Sequence, residues 1–217
     1  MPDPMLEMAR NYGPLMLAGL STTAWICFVS SILGLIVGMA LALCDLQRPA
    51  GVRWIARSYI EIMRGLPILI LLFLLYYGGP SFGLRLRAET AGIIGLGAYS
   101  GAYFAEIFRS GFRSIPRGQI EAARMTGLSR AQIVTHIELP QMLVLITPPI
   151  VNQVIIVVKE SAVLSIITVA ELTKNTTQFV NETYAVITPY LAAALLYWLL
   201  VEAIAWSGRL VERRVRF

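Results

Sequence analysis

Charge is what this 217-residue chain most lacks: Asp, Glu, Lys and Arg make up only 14% of it, where a soluble domain carries about a quarter. That scarcity excludes disordered, collagen-like and coiled-coil chains. Two cysteines and a single histidine leave little for metal or redox chemistry. Cys27 and Cys44 fall on one predicted helix, about 25 Å apart at helical rise, which is beyond disulfide reach. No H-E-x-x-H pattern, clustered metal carboxylates or facing Ser/His pair marks an embedded enzyme. Nor is there a G-x-x-x-x-G-K-[ST] loop to cradle phosphates, so the chain does not hydrolyse ATP by itself. A basic leader is absent too. Residues 1–12 hold Asp3 and Glu7 against one Arg10, so the first apolar stretch reads as retained rather than cleaved.

What is present is apolar and clustered. Hydrophobic residues reach 57%, with mean hydropathy +0.68. Runs without any charge extend from Arg10 to Asp45, Arg64 to Arg85, Glu138 to Lys159 and Glu182 to Glu202, with a shorter one from Glu89 to Glu106. About 20 apolar residues at roughly 1.5 Å each cross the hydrocarbon layer, roughly 30 Å thick, as a helix. Continuous runs disfavour strands, whose open edges lipid cannot satisfy. The expected fold is all-α: an integral membrane bundle of five transmembrane helices, at 15–43, 59–79, 90–110, 141–159 and 185–206. A long loop at 114–139 separates the third and fourth, 162–180 reads as a re-entrant or outer-surface segment, and the whole domain covers about 17–206.

Lys and Arg collect on the cytoplasmic side of membrane proteins. With the amino terminus outside, the inner segments hold 13 of the 18 basic residues: Arg48, Arg53, Arg57, Arg64, Arg109, Arg113, Arg117, Arg124, Arg130, Arg209, Arg213, Arg214 and Arg216. Only Arg10, Arg85, Arg87, Lys159 and Lys174 fall outside. The amino terminus is therefore expected outside and the carboxyl terminus inside. Topology explains the net charge of +5 without a nucleic-acid partner. Gly34 and Gly38 form a GxxxG spacing, and Gly92, Gly95, Gly97 and Gly101 line the third span, so both helices are expected to pack closely on neighbours. Pro148-Pro149 removes two backbone donors and predicts a kink or break in the fourth span.

The long inner loop carries the clearest local signals. Pro116 suits a helix start, the stretch from Gln119 to Thr126 reads as a short helix, and Gly127 is placed to end it in a left-handed conformation. Ser129 and Gln132 make an S-x-x-Q capping box that opens a second helix, which Pro140 is expected to end. The result is a compact knob on the inner face.

Glu121-Ala122-Ala123, three residues, Gly127, nine residues, Ile137, one residue and Leu139-Pro140 match the EAA motif of bacterial ATP-binding-cassette importer permeases. The chain is similar to their polar amino-acid branch at further places: Glu61-x-x-Arg64-Gly65-x-Pro67, Ala102 to Arg109, Lys159-Glu160-Ser161 and Glu212-Arg213-Arg214. Leu66 and Ala162-Val163 depart from the usual pattern. The resemblance implies a multi-pass permease of the bacterial inner membrane, pairing with a second permease, the same or a homologous chain. It also implies a cytoplasmic ATPase dimer holding ATP and Mg, an external solute-binding protein and a polar amino acid or opine as cargo. No cofactor is expected on this chain. The helix of the knob would sit in a groove of the ATPase, with Glu121 and Arg124 at the contact, Ala122 and Ala123 allowing close approach, and Gly127 as pivot. A stand-alone channel or ion-coupled carrier, the rival reading, would need no such knob.

Charges inside spans cost about 2.5–3.5 kcal/mol at a helix centre. Glu61 and Arg64, three apart, either pair or act at a gate, or sit at the inner interface with Arg64 snorkelling. Glu106 and Arg109 share that spacing and read as a structural pair. Asn152, Gln153, Lys159, Glu160 and Ser161 lie beyond the expected break, and a zwitterionic ligand would find in them a cation, a carboxylate and neutral hydrogen bonds. They form the expected substrate path, with an ion-paired surface loop as the alternative.

Overall fold

The structure, a computed structural model, describes residues 4–45 and 49–215, with side chains from Arg10 onward in the first stretch. Asp3, Arg48 and Arg216, used in the charge reading, lie outside the described residues. Nine α-helices follow one another among them, with no strand: α1 Pro4–Asp45, α2 Ala50–Gly65, α3 Ile68–Phe73, α4 Ala88–Arg113, α5 Arg117–Met125, α6 Arg130–Ile133, α7 Leu139–Glu160, α8 Leu172–Thr183 and α9 Ile187–Val215. Among the described residues, four helical stretches are long and apolar enough to cross a membrane: Arg10–Asp45, Ala88–Arg113, Arg130–Ile167 and Ile187–Val215. The pair Ala50–Gly65 and Ile68–Phe82 meets the same test together, which makes up to five crossings, and it is bent by 105°.

That bend has a local cause. Leu66 precedes Pro67, and a residue before proline is pushed out of the helical region; its backbone is extended at φ −95°, ψ 137°. The second span is therefore broken. Pro148-Pro149 behaves in the opposite way. Both lie inside an uninterrupted α7, on its exposed face, so accommodating their rings displaces no packed neighbour. Pro140 does not end its helix either. A π turn over Val134–Glu138, closed by Leu139 N–H on the Val134 carbonyl, widens the helix just ahead of it and relieves the clash a proline makes with the carbonyl four residues back. Arg130 to Ile167 thus runs on as one helical stretch.

The glycine patterns do what their spacing predicts. A Cβ on Gly38 would stand 2.6 Å from Phe104 Cβ and 2.9 Å from the Ala105 nitrogen, and one on Gly101 would stand 2.8 Å from Val37. Gly97 meets Leu33 and Gly95 meets Leu72 at 2.6 Å in the same way. α1 and α4 thus lie against one another at backbone distance, which only glycine allows. Around this seam sit the core residues Ile26, Ile68, Leu72, Leu96, Leu164 and Ile167 toward one end and Ala42, Phe104, Phe108, Met142 and Ile146 toward the other. The segment after α7 is a 3₁₀ helix, Ser161–Ile167, whose Leu164 and Ile167 plug the first cluster. Its other face is open, with Ile166 exposed. Cys27 is buried against α7, and both cysteines are free thiols on α1. Trp25, Phe28 and Ile36 on α1 and Leu191, Leu195 and Leu199 on α9 remain exposed, an apolar belt suited to lipid or to another membrane chain.

Candidate functional site

The knob is built from caps. α4 ends at Arg113, the chain turns through buried Ile115, and Pro116 enters α5 in an extended conformation at φ −59°, ψ 128°. At the far end Gly127 has φ +83°, Gly127 N–H donates to the Arg124 carbonyl at 3.0 Å, and Leu128 N–H donates to the Ala123 carbonyl at 3.2 Å. These two bonds make a complete Schellman cap. Ser129 Oγ then accepts from Gln132 N–H at 3.3 Å while Gln132 Oε1 accepts from Ser129 N–H at 2.9 Å, so the capping box closes as its spacing predicts.

One side-chain contact ties the knob to α7, and another braces its second helix. Gln141 Nε2 of α7 donates to Gln119 Oε1 of α5 at 2.8 Å. Arg130 Nη1 lies 2.6 Å from Oε1 of Glu138, whose side chain is almost wholly buried within the π turn. Glu121, Ala122 and Arg124 point outward, and Met125 is 89% exposed, an apolar tip on a polar helix. Ala123 is only 6% exposed. Its close approach is to its own chain, and of the Ala122-Ala123 pair only Ala122 faces outward.

Beside the knob a cleft of about 260 Å³ opens between the ends of α1, α2 and α4, lined by Asp45, Arg57, Glu61, Arg64, Glu106 and Arg109. Asp45, a residue the sequence reading passed over, is nearly buried. It pairs with Arg57 of α2 at 2.5 Å and stands 3.6 Å from Nη2 of Arg113 at the end of α4. Glu106 and Arg109 form the expected pair. Glu61 and Arg64 do not pair. The Arg64 guanidinium lies 5.5 Å from the centre of the Tyr103 ring instead, where a cation is attracted by the ring face.

The unbroken α7 divides the residues expected to form a substrate path between its faces. With α7 unbroken, neighbouring residues diverge by about 100° around its axis: Asn152 is exposed, while Gln153 is buried with its Nε2 unpartnered. Lys159 lines a separate cleft with Ala162, Tyr197, Trp198 and Val201. Glu160 is half-buried and makes no ion pair among the described residues, and buried Ser161 donates to the Val158 carbonyl at 2.7 Å. Glu171 is a buried anchor. It caps α8 by accepting from Thr173 N–H at 2.9 Å and Lys174 N–H at 2.7 Å, and it accepts from Tyr197 Oη–H at 2.9 Å. Burial pushes its carboxyl above the ordinary value against the pull of those donors.

A family profile described as "Binding-protein-dependent transport system inner membrane component" matches residues 30–217. The chain is 37% identical over 208 residues to the "Probable amino-acid ABC transporter permease protein YckA" of Bacillus subtilis (strain 168), covering 96% of this chain and 92% of the relative. It is 35% identical over 204 residues to the "Arginine transport system permease protein ArtQ" of the same organism, covering 94% and 93%. Among solved structures it is similar to a chain of "an amino acid ABC transporter with histidines", with a TM-score of 0.90, 35% identity and coverage of 99% and 100%.

Proposed function

The chain belongs to the family of binding-protein-dependent transport system inner membrane components, and from that premise we propose that it is the permease of an ATP-driven importer of polar amino acids or related compounds such as opines. Relatives named for amino-acid and arginine transport support the cargo class. The observation that carries the mechanism is α5. A helix capped at its C-terminus, pinned to α7 through Gln119 and presenting Glu121, Ala122, Arg124 and Met125 outward, is suited to seat in a groove of another protein and transmit a push. The chain has no phosphate-cradling loop, so ATP and Mg belong to a partner ATPase dimer on the cytoplasmic side.

In this reading the amino terminus is outside, the carboxyl terminus inside and α5 cytoplasmic. A second permease, identical or homologous, faces this one in the lipid, and an external solute-binding protein delivers the cargo. Closure of the ATPases displaces α5, and the bundle exchanges which of its faces is open. The test is cysteine crosslinking in the assembled complex. A cysteine at Ala122 crosslinks to the ATPase, whereas one at Ala123, buried at 6% exposure, does not. ATP-independent uptake with no ATPase adduct at either site would instead identify a stand-alone carrier.

A further inference from the structure

The cleft beside the knob contains an imbalance. Arg57 is matched to Asp45 and Arg109 to Glu106. Glu61 and Arg64 line the same cleft, are both exposed, and form no ion pair with each other or with any other described residue. Both sit toward the C-terminal end of α2, which is tied to α4 there: Tyr59 Oη donates to the carbonyl of Ala98, at 2.9 Å, and Arg64 lies over Tyr103. A polar row leads to them along α4: Tyr99 and Tyr103, whose hydroxyls are 3.1 Å apart, then Glu106, at the four- and three-residue steps of one helix face.

An unmatched carboxylate and an unmatched guanidinium, one helical turn apart, present the complement of one ligand chemistry. Their Cβ atoms stand about 5–6 Å apart at that spacing, which leaves room for a small group carrying both charges between them. The guanidinium fork receives a carboxylate in bidentate fashion, with the Tyr103 face holding its plane. Resting on the importer reading above, we propose that this cleft is a station for a zwitterionic amino acid, with its carboxylate on Arg64 and its ammonium on Glu61.

The experiment is equilibrium binding to the purified complex of this chain with its ATPase in lipid nanodiscs, without external binding protein. The probes are L-glutamine and L-arginine, each beside its decarboxylated analogue, 4-aminobutanamide and agmatine. Wild type is expected to bind at least one of the amino acids, and its analogue more weakly. Arg64→Gln weakens the amino acid about tenfold or more and leaves the analogue unchanged; Arg64→Lys recovers part of the loss; Glu61→Gln weakens both. The proposal is overturned if wild type binds neither amino acid, if Arg64→Gln binds as wild type does, or if Arg64→Gln lowers amino acid and analogue by the same factor. Failure of the importer reading looks different: wild-type vesicles with ATPase and binding protein show no ATP-driven uptake, whatever the cleft binds.

Discussion

Gly127 offers the cleanest perturbation of the knob. It holds φ +83° at the centre of the Schellman cap, and a Cβ built on it meets nothing within 4 Å. Any penalty of substitution is therefore a backbone penalty, free of clashes. An L-residue held in the left-handed region costs about 1–2 kcal/mol, Asn less and a β-branched residue more. Costs of that size lower the equilibrium constant for forming the capped knob about 5- to 30-fold. Gly127→Asn, Gly127→Ala and Gly127→Val should therefore form a series in ATP-driven uptake by proteoliposomes, near wild type, reduced several-fold and nearly abolished, while the complex with the ATPase still purifies. Uptake by Gly127→Val at the wild-type rate would refute the reasoning. So would an Asn variant as poor as the Val variant, because the loss would then follow side-chain bulk and not backbone handedness.

Gly38→Ala sets a methyl 2.6 Å from Phe104 Cβ and 2.9 Å from a backbone nitrogen, and should lower the melting temperature in detergent through overpacking of about 1–3 kcal/mol; Gly13→Ala, with open space around it, should not. Arg130→Ala leaves the buried Glu138 carboxylate without its partner, a loss of about 1–3 kcal/mol, and adding Glu138→Gln should restore much of the melting temperature. Glu171 gives a pH test with a fixed sign. Its carboxyl titrates above the ordinary 4.5, so the folded chain holds that proton more tightly than the unfolded one, and the stability it confers is lost as pH rises through the folded value. The melting temperature of wild type, minus that of Glu171→Gln, should therefore fall as pH is raised from 4.5 toward neutrality; a flat or rising difference contradicts the burial argument.

What was legible in the sequence was local. The Gly127 cap and the Ser129 box are decided by residues a few positions apart, and the glycine seam by a repeat along one helix, so spacing alone finds them. A proline's position in the sequence does not fix its outcome, which depends on what surrounds it. Pro67 follows a residue driven to extended backbone and breaks its span by 105°, whereas Pro148-Pro149 turns outward and α7 continues. Glu61 and Arg64 have the spacing of a pair, but Tyr103, brought in from α4, takes the guanidinium. Asp45 carries no signal at all in sequence, since Arg57 and Arg113 reach it only after three helix ends converge. On an unbroken α7, Asn152 and Lys159, seven residues apart, share one exposed face while Gln153 turns inward.

That convergence at Asp45 bears on how a push on α5 reaches the cleft. Arg113 is the last residue of α4, four positions before α5 begins, and it stands 3.6 Å from the carboxylate that also holds Arg57. α2 carries Arg57, Glu61 and Arg64 on the cleft side. In the proposed mechanism, displacement of the α4 end would act on α2 through one buried acid, while Gln119–Gln141 would carry it into α7. Ion pairs around a nearly buried carboxylate exchange partners rather than stretch, because leaving that charge unpaired costs several kcal/mol. A relay of this kind has discrete settings, and a transporter that must expose one side or the other needs elements with two arrangements, not a continuum. The bend at Leu66-Pro67 separates α2, with Arg64 near its end, from α3, whose Ile68 and Leu72 are buried in the core.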